Sequence, residues 1–255
     1  MTSNPFAAAS FAAAAAGVTH VGCVRSHNED CYHIDEAAGV FAVMDGAGGH
    51  DRGAVASGLV KTALARIGRP ANAEDLLARF EDRVVRAKSE MDALEKQPGH
   101  GGAMGTTIAA ILTFGSHFAC LWAGDSRAYR LRDGTLEQLT RDHTEVQDLL
   151  DRQAITPEEA RTWSRRHVIT RAIGAGLELQ LDIVTGSLRD KDRFMLCSDG
   201  LTGHLGDDVI QKALSTGTPA QAAQALVDDT LEHGAQDNVT AVVVDFALVR
   251  AGAAQ

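Results

Sequence analysis

The stretch VFAVMDGAGGHDRG, residues 40–53, joins an apolar run to a helix-forming segment through a single carboxylate. Val40 to Met44 reads as a buried strand, since a short continuous apolar run bounded by turn residues suits a strand covered on both faces. The run stops at Asp45, and Gly46, Gly48, Gly49 and Gly53 follow within eight residues. Backbone stripped of side chains admits a close approach, and a carboxylate beside it predicts a charged visitor. Two familiar readings fail here. No GK[ST] follows, so this is not a P-loop, and Asp51 stands where a GxGxxG turn needs its last glycine.

Outward from this stretch, strands and helices come in blocks. Strand-like runs at 19–24 and 32–35 precede it, with a hairpin turn at 36–39. Helical spacing over 54–67 and from 73 to about 95 follows, the second helix capped by Asn72 with Leu76, Leu77, Phe80, Val84 and Met91 on one face. Short β-rich runs return at 106–113, 117–123, 128–132 and 136–139, the last two joined by Asp133-Gly134, a strong hairpin signal. Residues 141–176 are charged and helical with a break at Thr156-Pro157. Strands at 181–186 and 193–197, helices at 207–215 and 219–233, and a strand at 239–246 complete the chain. Blocks rather than strict β-α-β alternation predict an α+β fold, with antiparallel sheets and helices packed outside.

The 255 residues fit one large domain, and no internal repeat or low-complexity linker divides them after the N-terminus. The formal charge of −10 argues against broad binding to nucleic acid or anionic membranes, which needs clustered Lys and Arg. No run of about 18 apolar residues predicts a membrane span. Cys23, Cys31, Cys120 and Cys197 form no CxxC pair and read as free thiols in a reducing, cytoplasmic compartment. The N-terminal MTSNPFAAASFAAAAAG lacks the positive region of a secretory signal. It is expected to be a disordered Ala-rich leader over 1–16, with the folded domain over 17–248.

Asp45 has counterparts. Asp199 in RFMLCSDGL also ends an apolar run before a glycine. Asp237 precedes an apolar strand, Asp125 lies between two strands, and so do Glu29 and Asp30. Any single strand-end Asp is most often a cap or turn residue. Several converging carboxylates would repel one another unless a cation lies between them or their protons stay on. Oxygen ligands without a His-Cys cluster suit Mg²⁺ or Mn²⁺, and Gly46 would let its own carbonyl reach the ion. Ser198-Asp199-Gly200 is not a GxSxG elbow, so no protein nucleophile is suggested.

The ordered set Arg25-x-x-Asn28-Glu29-Asp30, Asp45-Gly46-x-Gly48-Gly49-His50, Gly105-Thr106-Thr107, Gly124-Asp125-Ser126-Arg127, Ile169-Thr170-Arg171-Ala172-Ile173-Gly174, Ser198-Asp199-Gly200-Leu201 and Gln236-Asp237-Asn238 resembles the bacterial branch of the metal-dependent serine/threonine protein phosphatases, type 2C. The resemblance runs from about Gly17 to Phe246, in the family's order. It implies a four-layer α-β-β-α sandwich of two antiparallel sheets flanked by helix pairs. It also implies two Mn²⁺ or Mg²⁺ ions at one sheet edge. Asp45 would bridge both, with the Gly46 carbonyl on one and Asp199 and Asp237 on the other. Glu29 and Asp30 would hold bound waters or ligate directly, Asp125, alone or with Asp199, would take a third ion, and Arg25 would clamp the substrate phosphate. A hydroxide shared by the two ions would then attack phosphorus in line.

The implied activity is dephosphorylation of phosphoserine and phosphothreonine in proteins by a monomer opposing a serine/threonine kinase. Residues 143–176 correspond to the family's flap, where substrate recognition is expected. This chain departs from the family at Ala47, where relatives carry His or Met. The proton for the leaving oxygen would then come from a bound water or from His50. Two rival functions keep the fold: a regulatory pseudophosphatase, which would be expected to lose metal carboxylates, and a hydrolase of small phosphoesters.

Overall fold

The computed structural model describes residues 10–48, 51–97 and 102–249. Five strands form one antiparallel sheet in the order β1 (Ser10–His20), β12 (Val239–Val249), β11 (Arg193–Cys197), β7 (Arg127–Arg132) and β8 (Thr135–Gln138). A second antiparallel sheet runs β10 (Asp182–Ser187), β6 (His117–Ala123), β5 (Ile108–Phe114), β3 (Val40–Ala47), β4 (Gly105–Thr106) and β9 (Ile173–Gly174), with β2 (Asp30–Asp35) also paired to β3.

Strand β3 explains why the two sheets stack. Phe41 and Val43 face an inner core shared with Phe118, Trp122, Phe194 and Phe246. Val40, Ala42 and Met44 face an outer core with α1 (Arg52–Leu64) and α2 (Ala73–Glu95). A period of two places alternate residues on opposite faces, so an unbroken apolar run means that both faces are covered. Inside, Phe246 meets the rings of Phe41 and Phe194 edge-on, with centroids at 6.2 and 5.5 Å. The first sheet is covered on its outer face by α5 (Asp199–Thr202), α6 (Asp207–Leu214) and α7 (Pro219–Glu232) through Leu201, Ile210 and Leu226. Three cores therefore separate four layers, helix–sheet–sheet–helix, in agreement with the expected architecture.

Local signals account for the helix starts. The Asn72 side chain accepts the Asp75 N–H at 2.7 Å, and Leu76, Phe80, Val84, Ala87 and Met91 are buried along one face of α2. Thr218 and Gln221 form a reciprocal capping box at the start of α7, with Pro219 in its first turn.

Two expectations are corrected. The leader expected over 1–16 is strand from Ser10 onward, and every residue of β1 pairs with β12, from Ser10↔Val249 to His20↔Val239. Residues 1–9 lie outside the described residues. Ala has low intrinsic strand preference, but pairing with the Val-rich β12 overrides it. The strand read at 19–24 accordingly ends at His20. The helical reading of 141–176 resolves into two short helices, α3 (Glu145–Asp151) and α4 (Pro157–Arg161). Thr144 and Ile169 form a β-bridge that closes the base of this excursion.

Candidate functional site

At one end of the sandwich, strand ends from both sheets surround a cleft of about 1050 Å³. The second sheet contributes Glu29 and Asp30 at the start of β2 and Asp45 near the end of β3, with Asp30 and Asp45 paired across the ladder. The first sheet contributes Asp199, at the head of α5, and Asp237, just before β12. Asp125 comes from the loop between β6 and β7. Arg25, Glu29, Asp45, Gly46, Asp125, Asp199 and Asp237 all line this cleft, and Asp30 lies buried behind it. The eight residues singled out in the sequence are thus brought together. His50 lies outside the described residues.

The backbone around Asp45 is tightly fixed. Its N–H donates to Thr107 Oγ1 at 3.1 Å, and its carbonyl accepts from Thr107 N–H at 2.8 Å and Thr106 Oγ1 at 2.9 Å. The neighbouring glycines serve backbone packing as well as openness. A Cβ on Gly46 would lie 2.1 Å from the Gly53 carbonyl oxygen, and one on Gly53 would lie 2.6 Å from the Glu29 carboxyl carbon. Gly200 presses α5 onto the Asn238 carbonyl in the same way, at 2.0 Å. The closest approach at these glycines is therefore chain on chain, drawing β3, α1 and the Glu29 loop together beneath the cleft.

The carboxylates hold their protons tightly. Burial pushes Asp30 up to about 7 and Asp125 up to about 8, with neighbouring carboxylates adding to each. Asp45 is raised well above the usual carboxylate range by burial and by Asp30, Asp199, Asp125 and Asp237. Asp199 is raised by burial and by Asp237, partly offset by a hydrogen bond with Asp45. Among the described residues, Arg25 is a cation that touches this set. Its Nη2 donates to Asp237 Oδ2 at 2.7 Å, and its side chain is 55% exposed. The other Asp237 oxygen accepts the Asn238 N–H at 2.8 Å.

Such an arrangement fits divalent cations. It has hard oxygen donors, mutual repulsion that a cation would relieve, and one buried carboxylate oxygen, Asp30 Oδ1, with no hydrogen-bond partner. Among the described residues, no three His, Cys, Asp or Glu side chains alone make a metal-holding group. A cation here would have to draw on the Gly46 carbonyl and on water as well as on carboxylates, a set that suits Mg²⁺ and Mn²⁺ better than zinc.

Several supporting residues carry no catalytic signature in the sequence. Asn238 Oδ1 accepts the Glu29 N–H at 2.8 Å, while its Nδ2 donates to the carbonyls of Val21 and His27, both at 2.9 Å. One amide thus fastens the whole Arg25–Glu29 loop. His143 accepts the Gly124 N–H at 3.2 Å and meets Asp182 Oδ2 at 3.1 Å, and Arg171 holds the other Asp182 oxygen at 2.6 Å. This network ties the Asp125 loop to both ends of the 144–169 excursion. From that excursion Arg166, His167 and Ile169 reach the cleft. An Asn beside an Asp, or a His after a charged pair, gives no periodicity to detect.

Comparison with known proteins supplies independent findings. A family model described as protein phosphatase 2C matches residues 19–246. The serine/threonine protein phosphatase PstP of Mycobacterium tuberculosis is 42% identical over 225 residues, covering 88% of this chain and 43% of PstP. The chain therefore spans less than half the length of that curated relative. A crystal structure of the M. tuberculosis serine/threonine phosphatase PstP/Ppp superposes with a TM-score of 0.86 at 39% identity, over 92% of this chain and 99% of that one. A structure of the PstP catalytic domain in complex with two manganese ions gives 0.81 at 37% identity, over 93% and 100%.

Proposed function

From a chain that belongs to the protein phosphatase 2C family, we propose metal-dependent hydrolysis of phosphoserine and phosphothreonine in proteins. The observation that carries this reading is the convergence of Asp30, Asp45, Asp125 and Asp199, all with raised proton affinity, on one cleft beside Arg25. Asp45, the Gly46 carbonyl, Asp199 and Asp237 would hold two ions, Mn²⁺ or Mg²⁺, with Glu29 and Asp30 ordering bound water and Asp125 taking a third ion. When bound, the ions supply a hydroxide at neutral pH and neutralise the phosphate's charge.

The side chains do the rest. Arg25 exchanges Asp237 for the phosphate, to which its guanidinium presents parallel N–H donors. Its exposure leaves it free to make that exchange. Ala47 carries no proton to donate, so protonation of the leaving oxygen falls to water or to His50 in this chain. Arg166 and His167, reaching the cleft from the flap, meet the polypeptide on either side of the phosphorylated residue. Substrates are phosphoproteins made by a serine/threonine kinase, on which the domain would work as a monomer, and the free thiols Cys23, Cys31, Cys120 and Cys197 support a reducing, cytoplasmic compartment.

The retained carboxylates argue against a pseudophosphatase. The decisive assay compares a phosphothreonine peptide with a small aryl phosphate, in chelator and with Mn²⁺ restored. Peptide turnover that appears only with Mn²⁺ is expected. Full turnover in excess chelator would falsify the metal mechanism, and a strong preference for the small ester would reassign the substrate class.

A further inference from the structure

The candidate ligands are divided between two sheets. Glu29, Asp45 and Gly46 belong to one and Asp199 and Asp237 to the other, so the spacing of any bound pair depends on how the sheets are tied at this edge. Besides Asn238, which holds the Glu29 loop, one buried carboxylate ties the sheets here. Asp30, on β2, is 7% exposed and reaches across the sandwich. Its Oδ2 accepts from Ser198 Oγ at 2.7 Å and from Thr240 Oγ1 at 2.8 Å, both on the opposite sheet's side. Ser198 is in turn fixed to Thr240. Its Oγ accepts the Thr240 N–H at 3.0 Å, and its N–H donates to the Thr240 carbonyl at 3.1 Å.

With Asp30 ionised, as it would be beside a bound cation, the carboxylate only accepts and so sets the hydrogen-bond directions. Thr240 Oγ1 donates to Asp30, so it accepts from Thr19 Oγ1 at 2.7 Å. Thr19 Oγ1 accepts from Asn28 Nδ2 at 2.9 Å, and Asn28 Oδ1 accepts the Asp30 N–H at 3.1 Å. The ring closes: Asn28, Thr19, Thr240, Asp30 and back to Asn28. It passes through both sheets, and every proton has one assigned direction. Oδ1 of Asp30 is left without a partner in this otherwise satisfied ring.

We propose that Ser198 and Thr240 are positioning residues: their hydroxyls clamp Asp30 across the sandwich and thereby set the separation of the two ligand halves, leaving Asp30 Oδ1 for the metal centre. The inference rests on the two-metal reading given above. Neither hydroxyl touches substrate or a reacting atom. They act through Asp30, as hydrogen-bonded outer partners act at metal sites, where their loss typically lowers metal affinity about 10- to 100-fold.

The test uses Thr240→Val, which keeps the shape and removes the hydroxyl, and Thr240→Ser, which keeps the hydroxyl and removes a methyl. Calorimetry gives Mn²⁺ affinity, and electron paramagnetic resonance gives the exchange coupling of the ion pair, a signature that altered stability alone leaves unmoved. Thr240→Val is expected to bind Mn²⁺ at least about 10-fold more weakly and to lose or alter the coupled signal, while Thr240→Ser keeps both. Ser198→Ala provides the same readout should Thr240→Val fold poorly. Wild-type affinity and coupling in Thr240→Val and Ser198→Ala would overturn the clamp while leaving the two-metal reading intact. A wild-type protein with no exchange-coupled pair would overturn that reading and the clamp with it.

Discussion

The carboxylate edge and the flap face each other across one cleft and place their charges in opposite ways. At the edge, Asp30 and Asp125 are buried, and Asp45 and Asp199 are half-buried, with Arg25 as the touching cation. In the flap, charges are exposed and paired: Arg165 with Glu145 at 2.8 Å, and Arg141 with Asp151 at its base. Neither α3 nor α4 buries a residue. Like charges can be gathered only where three packed cores refuse to let them separate. A segment held by exposed pairs and a capping box has little to lose by moving. The edge therefore stores repulsion that a cation would relieve, and the 144–169 excursion keeps freedom to move.

Removing a charge from the edge gives the largest expected effect. Asp199→Asn keeps the shape and drops the charge. Turnover of a phosphopeptide should fall by about two orders of magnitude or more, because the centre binds its ions less tightly. In chelator, its melting temperature should equal or exceed that of wild type, since repulsion has been relieved. Wild-type turnover combined with unchanged Mn²⁺ stabilisation would remove Asp199 from the site.

Next comes Arg25→Ala, at the border between the two regions. Loss of a charged hydrogen-bonding group should cost roughly 10- to 150-fold in kcat/KM for the phosphopeptide. Mn²⁺ affinity should stay close to wild type, or tighten as Asp237 is freed from its partner. Unchanged KM and kcat would make Arg25 a surface residue only.

The stored repulsion is also readable from pH. Groups whose pKa is raised on folding stabilise the protein fully below their unfolded value, near 4, and lose that contribution as pH rises through the folded one. For Asp30 and Asp125 the folded values are about 7 and about 8. In chelator, melting temperature should therefore fall between pH 5 and pH 8, on the order of several degrees. Saturating Mn²⁺ should flatten or reverse the slope, because ion binding competes with protons and stabilises the native state. A flat profile in chelator would mean that the carboxylates do not repel as the geometry implies.

The flap supplies the smallest effect. Glu145→Ala removes an exposed ion pair worth at most about 1 kcal/mol, so melting temperature should move by no more than about 4 °C. Any larger effect should appear as a changed ranking of phosphopeptides, with turnover of a small aryl phosphate unaltered. A melting-temperature drop well beyond that limit would show that the flap shares the edge's rigidity and would remove the contrast between them.

How much of this was legible follows the same division. The edge was readable, because burial on both faces forces apolar runs such as 40–44 and 194–197, and a carboxylate that closely follows such a run stands out. The order of those carboxylates along the chain then carried the family resemblance. The tie between the sheets was not readable. Thr240 looks like any strand threonine and Ser198 like any turn serine, and nothing local says that they meet a carboxylate 210 and 168 residues away, respectively. Strand β1 was misread for a related reason: Ala12 to Ala16 has no preference of its own, and its conformation is dictated by β12, at the other end of the chain. Sequence pattern reports what a segment buries. It does not report which distant partner makes that burial or hydrogen bond possible.

The pairing of β1 with β12 has a mechanical consequence. Ser10 and Val249 lie opposite each other at one end of an antiparallel ladder, and His20 and Val239 at the other, beside the cleft. Tension applied at Ser10 and Val249 pulls the two strands apart like a zipper, loading one rung at a time rather than shearing all eleven pairs together. The rungs nearest Ser10 yield first and those beside the carboxylate cleft last. A pull on the ends of this domain thus peels its edge strand progressively, and the carboxylate cluster is the last part of that seam to feel the load.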